Sequence, residues 1–265
     1  DSEIWPNMFK NLNNHKIPII LLNGRITKKS FLRWKKFPDF SKKIFGKISL
    51  AMPQNNETIK YLKSLGVKKI KIGGNLKYFG KSKKILDKNI NKLFRNRLIF
   101  CAASTHYNEE LFIGKIHKEL RLKYNNLLTI IIPRHTNRSE SITNELENIN
   151  LRVITRSSKK KISKNTDIFM VDTYGETSKF YGLSNITFLG GSLIPHGGQN
   201  PLEPARMGSY ILHGPYTQNF KEIYILLSKL KVSSKINNII SMKKIAIKKI
   251  KYKPPRNVSQ KIIFM

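Results

Sequence analysis

The feature that most limits the fold is a recurrence of short, mostly unbroken apolar runs separated by longer stretches of mixed polarity. Such runs lie at 17–22, 48–52, 98–102, 127–133, 151–155, 167–171, 186–189 and 210–212. A sheet wetted on one face would alternate residue by residue, whereas continuous runs suit parallel strands buried on both faces. Between them, 54–65, 107–124, 139–149, 178–183, 200–207 and 219–230 read as helices. Strand and helix in repeated alternation predict a doubly wound α/β sheet. The 265 residues suffice for one large domain, or one full domain plus part of another.

The expected boundary falls between Gly73-Gly74-Asn75 and Lys84. That divides the chain into 1–80, with two strands and their helices, and 81–232, a longer α/β unit. The remainder, 233–265, is a basic Lys/Ile-rich tail ending beyond Pro254-Pro255, with helical potential at 239–250 but no evident core face.

The net charge is +34, with Lys outnumbering Arg more than three to one. A nucleic-acid binder is basic but clusters Arg and aromatics on a recognition element. An anionic membrane surface also attracts lysines, by about 1 kcal/mol each. Codon bias toward Lys, Asn and Ile is the third reading, visible in Lys159-Lys160-Lys161 and Asn13-Asn14. One cysteine, Cys101, allows no internal disulfide. No run approaches the roughly 20 apolar residues of a membrane-spanning helix. The chain opens on the polar Asp1-Ser2-Glu3, without a signal peptide or an initiator Met, so its native N-terminus is expected upstream.

Four segments at strand ends carry chemistry. After 186–189 come Gly190-Gly191-Ser192 and then Gly197 to Pro204; glycines there let backbone N–H groups approach a ligand. Asn200 and Pro201 open a helix, and Glu203 in its first turn can accept from ribose hydroxyls. Asp172-Thr173-Tyr174-Gly175-Glu176 follows the strand at 167–171; Thr173 and Glu176 could equally form a helix cap. Pro133-Arg134-His135 supplies a guanidinium that can pair with phosphate, while His135 alone is more often structural. Ala102 to His106 is small-residue, with Ser104 or Thr105 a candidate cap for the helix that begins with Glu109 and Glu110 in its first turn. All four lie at carboxyl ends of strands, where open α/β sheets bind ligands. No Asp-x-Asp and no His or Cys at ligand spacing argues for a metal.

Together with Trp5-Pro6, Asn23-Gly24-Arg25, Gly74 to Lys77 and Phe180-Tyr181-Gly182, these segments resemble the Kdo (3-deoxy-D-manno-octulosonic acid) transferases of lipopolysaccharide synthesis, from Asp1 to about Phe220. The resemblance implies an α/β fold of GT-B type. Its C-terminal Rossmann-like domain would be complete or nearly so, and only the last part of the N-terminal Rossmann-like domain would be present. It implies transfer of Kdo from CMP-Kdo to lipid A precursor at the anionic cytoplasmic face of the bacterial inner membrane. CMP-Kdo is then a donor substrate, with no cofactor, no metal and no nucleic-acid partner. By the match, Pro133, Arg134, Tyr174, Gly175, Glu176, Asn200, Pro201, Leu202 and Glu203 would contact CMP. Lys77 would stabilise the transition state, and Asp1 and Glu3 match an acidic Glu-x-Glu pair. Position 174 is usually Met in such enzymes, and the Gly-rich segment with a general-base Glu has no counterpart after Asp1. The stretch is therefore expected to be inactive alone; the other readings are a non-catalytic remnant and a basic nucleic-acid-binding protein.

Overall fold

The computed structural model describes residues 4–71, 94 and 96–253. The chain divides into two units, Asp1–Gly80 and Lys81–Met265.

In the first unit, strands β1 (Ile19–Gly24) and β2 (Ile48–Pro53) pair in parallel, and Ala51 bridges to Ile70 on the far side of β2. Three helices surround them that the apolar runs did not announce: α1 (Pro6–Asn14), α2 (Lys28–Lys35) and α3 (Pro38–Phe45). Proline at the first turn of α1 and α3 costs no hydrogen bond, because those N–H groups have no helical partner. Thr27 caps α2 and Asn55 caps α4 (Asn56–Ser64) by accepting third-position amides. Phe9, Ile44, Phe45, Leu62 and Leu65 meet over β2 as one small core.

The second unit is a seven-stranded, all-parallel sheet. Its strands are β3 (Leu98–Thr105), β4 (Leu127–Pro133), β5 (Val153–Thr155), β6 (Ile168–Met170), β7 (Ile186–Leu189), β8 (Tyr210–His213) and β9 (Ser233–Lys235). Their spatial order is β5-β6-β4-β3-β7-β8-β9. Every residue of β4 is buried, and so is every residue of β7, as the unbroken runs require. Cys101, in the middle of central β3, is fully buried. The helices are α5 (Glu109–Arg121), α6 (Ser139–Glu147), α7 (Thr177–Tyr181), α8 (Leu202–Arg206), α9 (Lys221–Lys229) and α10 (Ile239–Lys249).

The region after residue 232 is part of this core. Strand β9 pairs with β8, and α10 packs against α5 with Met242, Ala246 and Ile250 buried. Asn238 and Ser241 form a reciprocal cap at its start. Asn185 and Tyr124 donate to the Ile250 and Ile247 carbonyls. The core face that the sequence did not disclose is centred on these three residues, spaced four apart, with Ile239, Ile245 and Ile247 partly buried beside them.

From β3 the chain steps outward to β4 and then to β5 at the edge, comes back to β6 between them, and crosses to the other side of β3 for β7, β8 and β9. The winding direction therefore reverses between β3 and β7. In open α/β sheets that reversal leaves a crevice at the carboxyl ends of the strands.

Candidate functional site

At the carboxyl end of β3, Ser104 adopts a left-handed backbone (φ 55°) and the β3–β4 register slips before Thr105. Neither residue caps α5: Thr105 is still in the strand, and the N-cap is Asn108, also left-handed at φ 70°. The kink presses β3 against the loop after β7. A Cβ on Gly190 would sit 2.3 Å from the Ser104 carbonyl oxygen, so only glycine fits.

That loop is held from below by Glu109. Its buried carboxylate accepts the backbone N–H groups of His106 (3.0 Å), Gly191 (2.7 Å), Ser192 (3.2 Å) and Leu193 (3.0 Å). The Gly-rich amides are thus engaged by the protein itself rather than aimed outward. Glu110 beside it is also buried and pairs with Arg138 at 3.1 and 3.3 Å; burial raises its pKa, against the pull of Arg138. In the sequence both glutamates stand out only as helix-dipole partners.

The segments singled out in the sequence line up along this edge. Pro133 ends β4, and the Arg134 amide donates to the Thr105 carbonyl at 2.9 Å, tying the β4 and β3 ends together while the Arg134 side chain is exposed. After β6, Tyr174 projects into solvent (81% exposed) and Gly175 takes φ 79°. Glu176 caps no helix amide; it pairs with Arg156 (3.2 and 3.3 Å) and Lys179 (3.1 Å), and accepts the Thr173 hydroxyl. The Arg156 pairing, with Thr173 and Lys179, brings its carboxyl down to about 2. After β7, Gly197 (φ 102°) and Gly198 (φ 75°) turn the chain, and Asn200 accepts the Leu202 amide at 3.1 Å. Pro201 is the N-cap of α8, one position before its first turn, and Leu202 is buried. The Ser178 hydroxyl donates to Glu203, joining the starts of α7 and α8. Asp1, Glu3 and Lys77 lie outside the described residues. Among the described residues, no group of three His, Cys, Asp or Glu side chains could hold a metal ion, and no helix is long and apolar enough to cross a membrane.

The edge also holds three histidines that the sequence did not assemble. The rings of His106 and His196 lie 4.4 Å apart, and those of His106 and His135 6.2 Å apart. They come from the loops after β3, β7 and β4, so no spacing along the chain reveals them.

A parallel sheet wound in this order is of the GT-B type. The solved UDP-GlcNAc 2-epimerase from Neisseria meningitidis matches its fold over 96% of this chain and 66% of its own (TM-score 0.56, 14% identity). Within that class the chain is a relative of the Kdo transferases, a family of glycosyltransferases. Residues 1–79 match the family described as 3-deoxy-D-manno-octulosonic-acid transferase (kdotransferase). The 3-deoxy-D-manno-octulosonic acid transferase of Haemophilus influenzae is 34% identical over 244 residues, 90% of this chain and 57% of that protein. The one from Rickettsia felis is 31% identical over 81% of this chain and 47% of its own length. The chain thus spans about half the length of the curated relatives it matches. The C-terminal CMP-Kdo binding domain of WaaA from Acinetobacter baumannii superposes with a TM-score of 0.59 at 28% identity, over 66% of this chain and 93% of that domain.

Proposed function

We propose that the second unit binds CMP-Kdo and that the chain serves transfer of Kdo to a lipid A precursor at the cytoplasmic face of the inner membrane. The observation that carries this reading is the alignment of Arg134, Tyr174–Glu176 and Asn200–Glu203 on one carboxyl edge of one parallel sheet. The likeness to a CMP-Kdo binding domain over nearly that domain's whole length supports the choice of nucleotide.

In this reading Glu203, steadied by Ser178, accepts from the ribose hydroxyls, and Tyr174 lies beside the base. Departure of CMP leaves charge on its phosphate, which the Arg134 guanidinium would balance; the family resemblance offers Lys77, outside the described residues, for the same role. Anomeric bond breaking passes through an oxocarbenium-like state, as in glycoside hydrolysis. The acceptor hydroxyl must meanwhile lose its proton to a carboxylate, a step in which a positioned base contributes roughly 10²–10⁴-fold. Asp1 and Glu3 are the carboxylates that the family resemblance offers near that step, but they match an acidic pair rather than the Gly-rich segment with the general base. Residues 1–265, about half the length of the relatives, are therefore proposed to bind donor without turning it over.

Titration calorimetry with CMP, UMP and AMP tests the reading. Preferential binding of CMP is expected; equal binding of all three by folded protein overturns the donor assignment.

A further inference from the structure

His106 is a buried imidazole whose Nδ1 lies 3.0 Å from the Ser104 carbonyl, so Nδ1 carries the hydrogen. Its Nε2 is buried with no hydrogen-bond partner among the described residues. A buried polar atom in that condition costs free energy unless something arrives to meet it. Around it stand His196 from the loop after β7, and His135 and Arg134 from the loop after β4, all three exposed. The Glu109 carboxylate is 3.8 Å from Nδ1 but already accepts four amides. Gly191 makes the arrangement possible, since a Cβ there would come within 3.1 Å of both the His106 and His196 rings.

We infer that His106, His135 and His196, with Arg134 at the rim, form a subsite for an anionic oxygen group. The Arg134 guanidinium and one N–H of each exposed ring can donate to an acceptor at this corner, whereas His106, with its hydrogen on Nδ1, presents Nε2 as a donor only once it is protonated. Burial lowers the pKa of His106 first, and repulsion from His196, His135 and Arg134 lowers it further, against the Ser104 bond. An arriving anion reverses that balance: the ring takes a proton and Nε2 becomes a donor to the ligand. The subsite deepens the donor reading and rests on it only for which anion arrives. A CMP-linked sugar acid offers two, the nucleotide phosphate and the sugar carboxylate.

The full chain is titrated with CMP, UMP, cytidine, free Kdo and sulfate, alongside His196→Gln and His135→Gln variants whose folds are checked by circular dichroism. Both altered rings are exposed, so the core is undisturbed. The variants are expected to bind sulfate about tenfold more weakly, the size of one charge-assisted hydrogen bond. Matching loss for CMP with cytidine unchanged assigns the phosphate; matching loss for free Kdo with CMP unchanged assigns the carboxylate. His106 ring resonances should move with sulfate in the parent protein. Sulfate weakened in the variants, with CMP and UMP bound alike, keeps the subsite and removes the cytidine reading. Sulfate, CMP and Kdo bound equally by parent and variants, with His106 resonances unmoved, overturns the subsite.

Discussion

The Glu109 carboxylate accepts the Gly191 amide at 2.7 Å, joining the first turn of α5 to the loop after β7 across the winding reversal of the sheet. With three further amides on the same two oxygens, it sets the backbone of the loop that carries the candidate site. Glu109→Gln keeps the shape but turns an N–H₂ group toward two buried amides. The expected cost is about 3 kcal/mol, for lost charged hydrogen bonds and donors left facing donors. Urea unfolding measures it; a midpoint equal to that of the parent would show the clamp to be dispensable.

Gly190→Ala should destabilise by about 1–3 kcal/mol, because its Cβ meets backbone rather than a side chain that could swing away. Gly175→Ala has free space around it and faces only the strain of φ 79°, so it should cost less. Thermal melts of the two variants give the order directly.

Glu176 supplies a pH dependence. Its carboxyl is held at about 2, below the ordinary 4.5, mainly by Arg156. A group lowered on folding adds stability that is complete above pH 4.5 and disappears as the pH falls toward 2. Glu176→Gln should therefore be less stable than the parent at neutral pH, with the gap closing through that window. A gap of constant size across the whole acid range would show that the Arg156 pairing contributes nothing to folding.

Met242→Ala should cost about 2–5 kcal/mol, as for other core methionines cut to alanine. The exposed Ile240→Ala on the same helix should change little. Equal, small effects in chemical unfolding would detach α10 from the core.

Transfer itself is expected to be absent from these residues alone. Purified chain with CMP-Kdo and a lipid A precursor should give no product by mass spectrometry. Product at the rate of a full-length relative would contradict the proposal, since it would place a working base within this stretch.

The strands were legible because a parallel strand covered on both faces has to be apolar throughout, and β4 and β7 are. Helices α1 to α3 were not: their apolar residues are few, and they carry Asn- and Lys-rich outer faces, as in Asn11, Asn13 and Lys42. The same excess of Lys hid the inward face of α10, although its helical character at 239–250 was legible. Caps were misplaced at Ser104 and Thr105 because residue type was visible and the left-handed kink was not. At the site, Arg134, Glu176 and Glu203 stood out by their position after strands. Glu109's amides in the loop after β7 and the His106–His196 pair join residues more than eighty apart, and tertiary folding alone brings them together.

Cys101 has a practical consequence. Burial raises its thiol pKa far above the ordinary value, and because a mid-strand side chain stands on a face of the sheet, the layer packed over that face is what keeps solvent from it. A thiol reagent can reach it only when that cover lifts from the sheet. Its labelling rate is therefore a built-in clock for opening of the layer over the central strand.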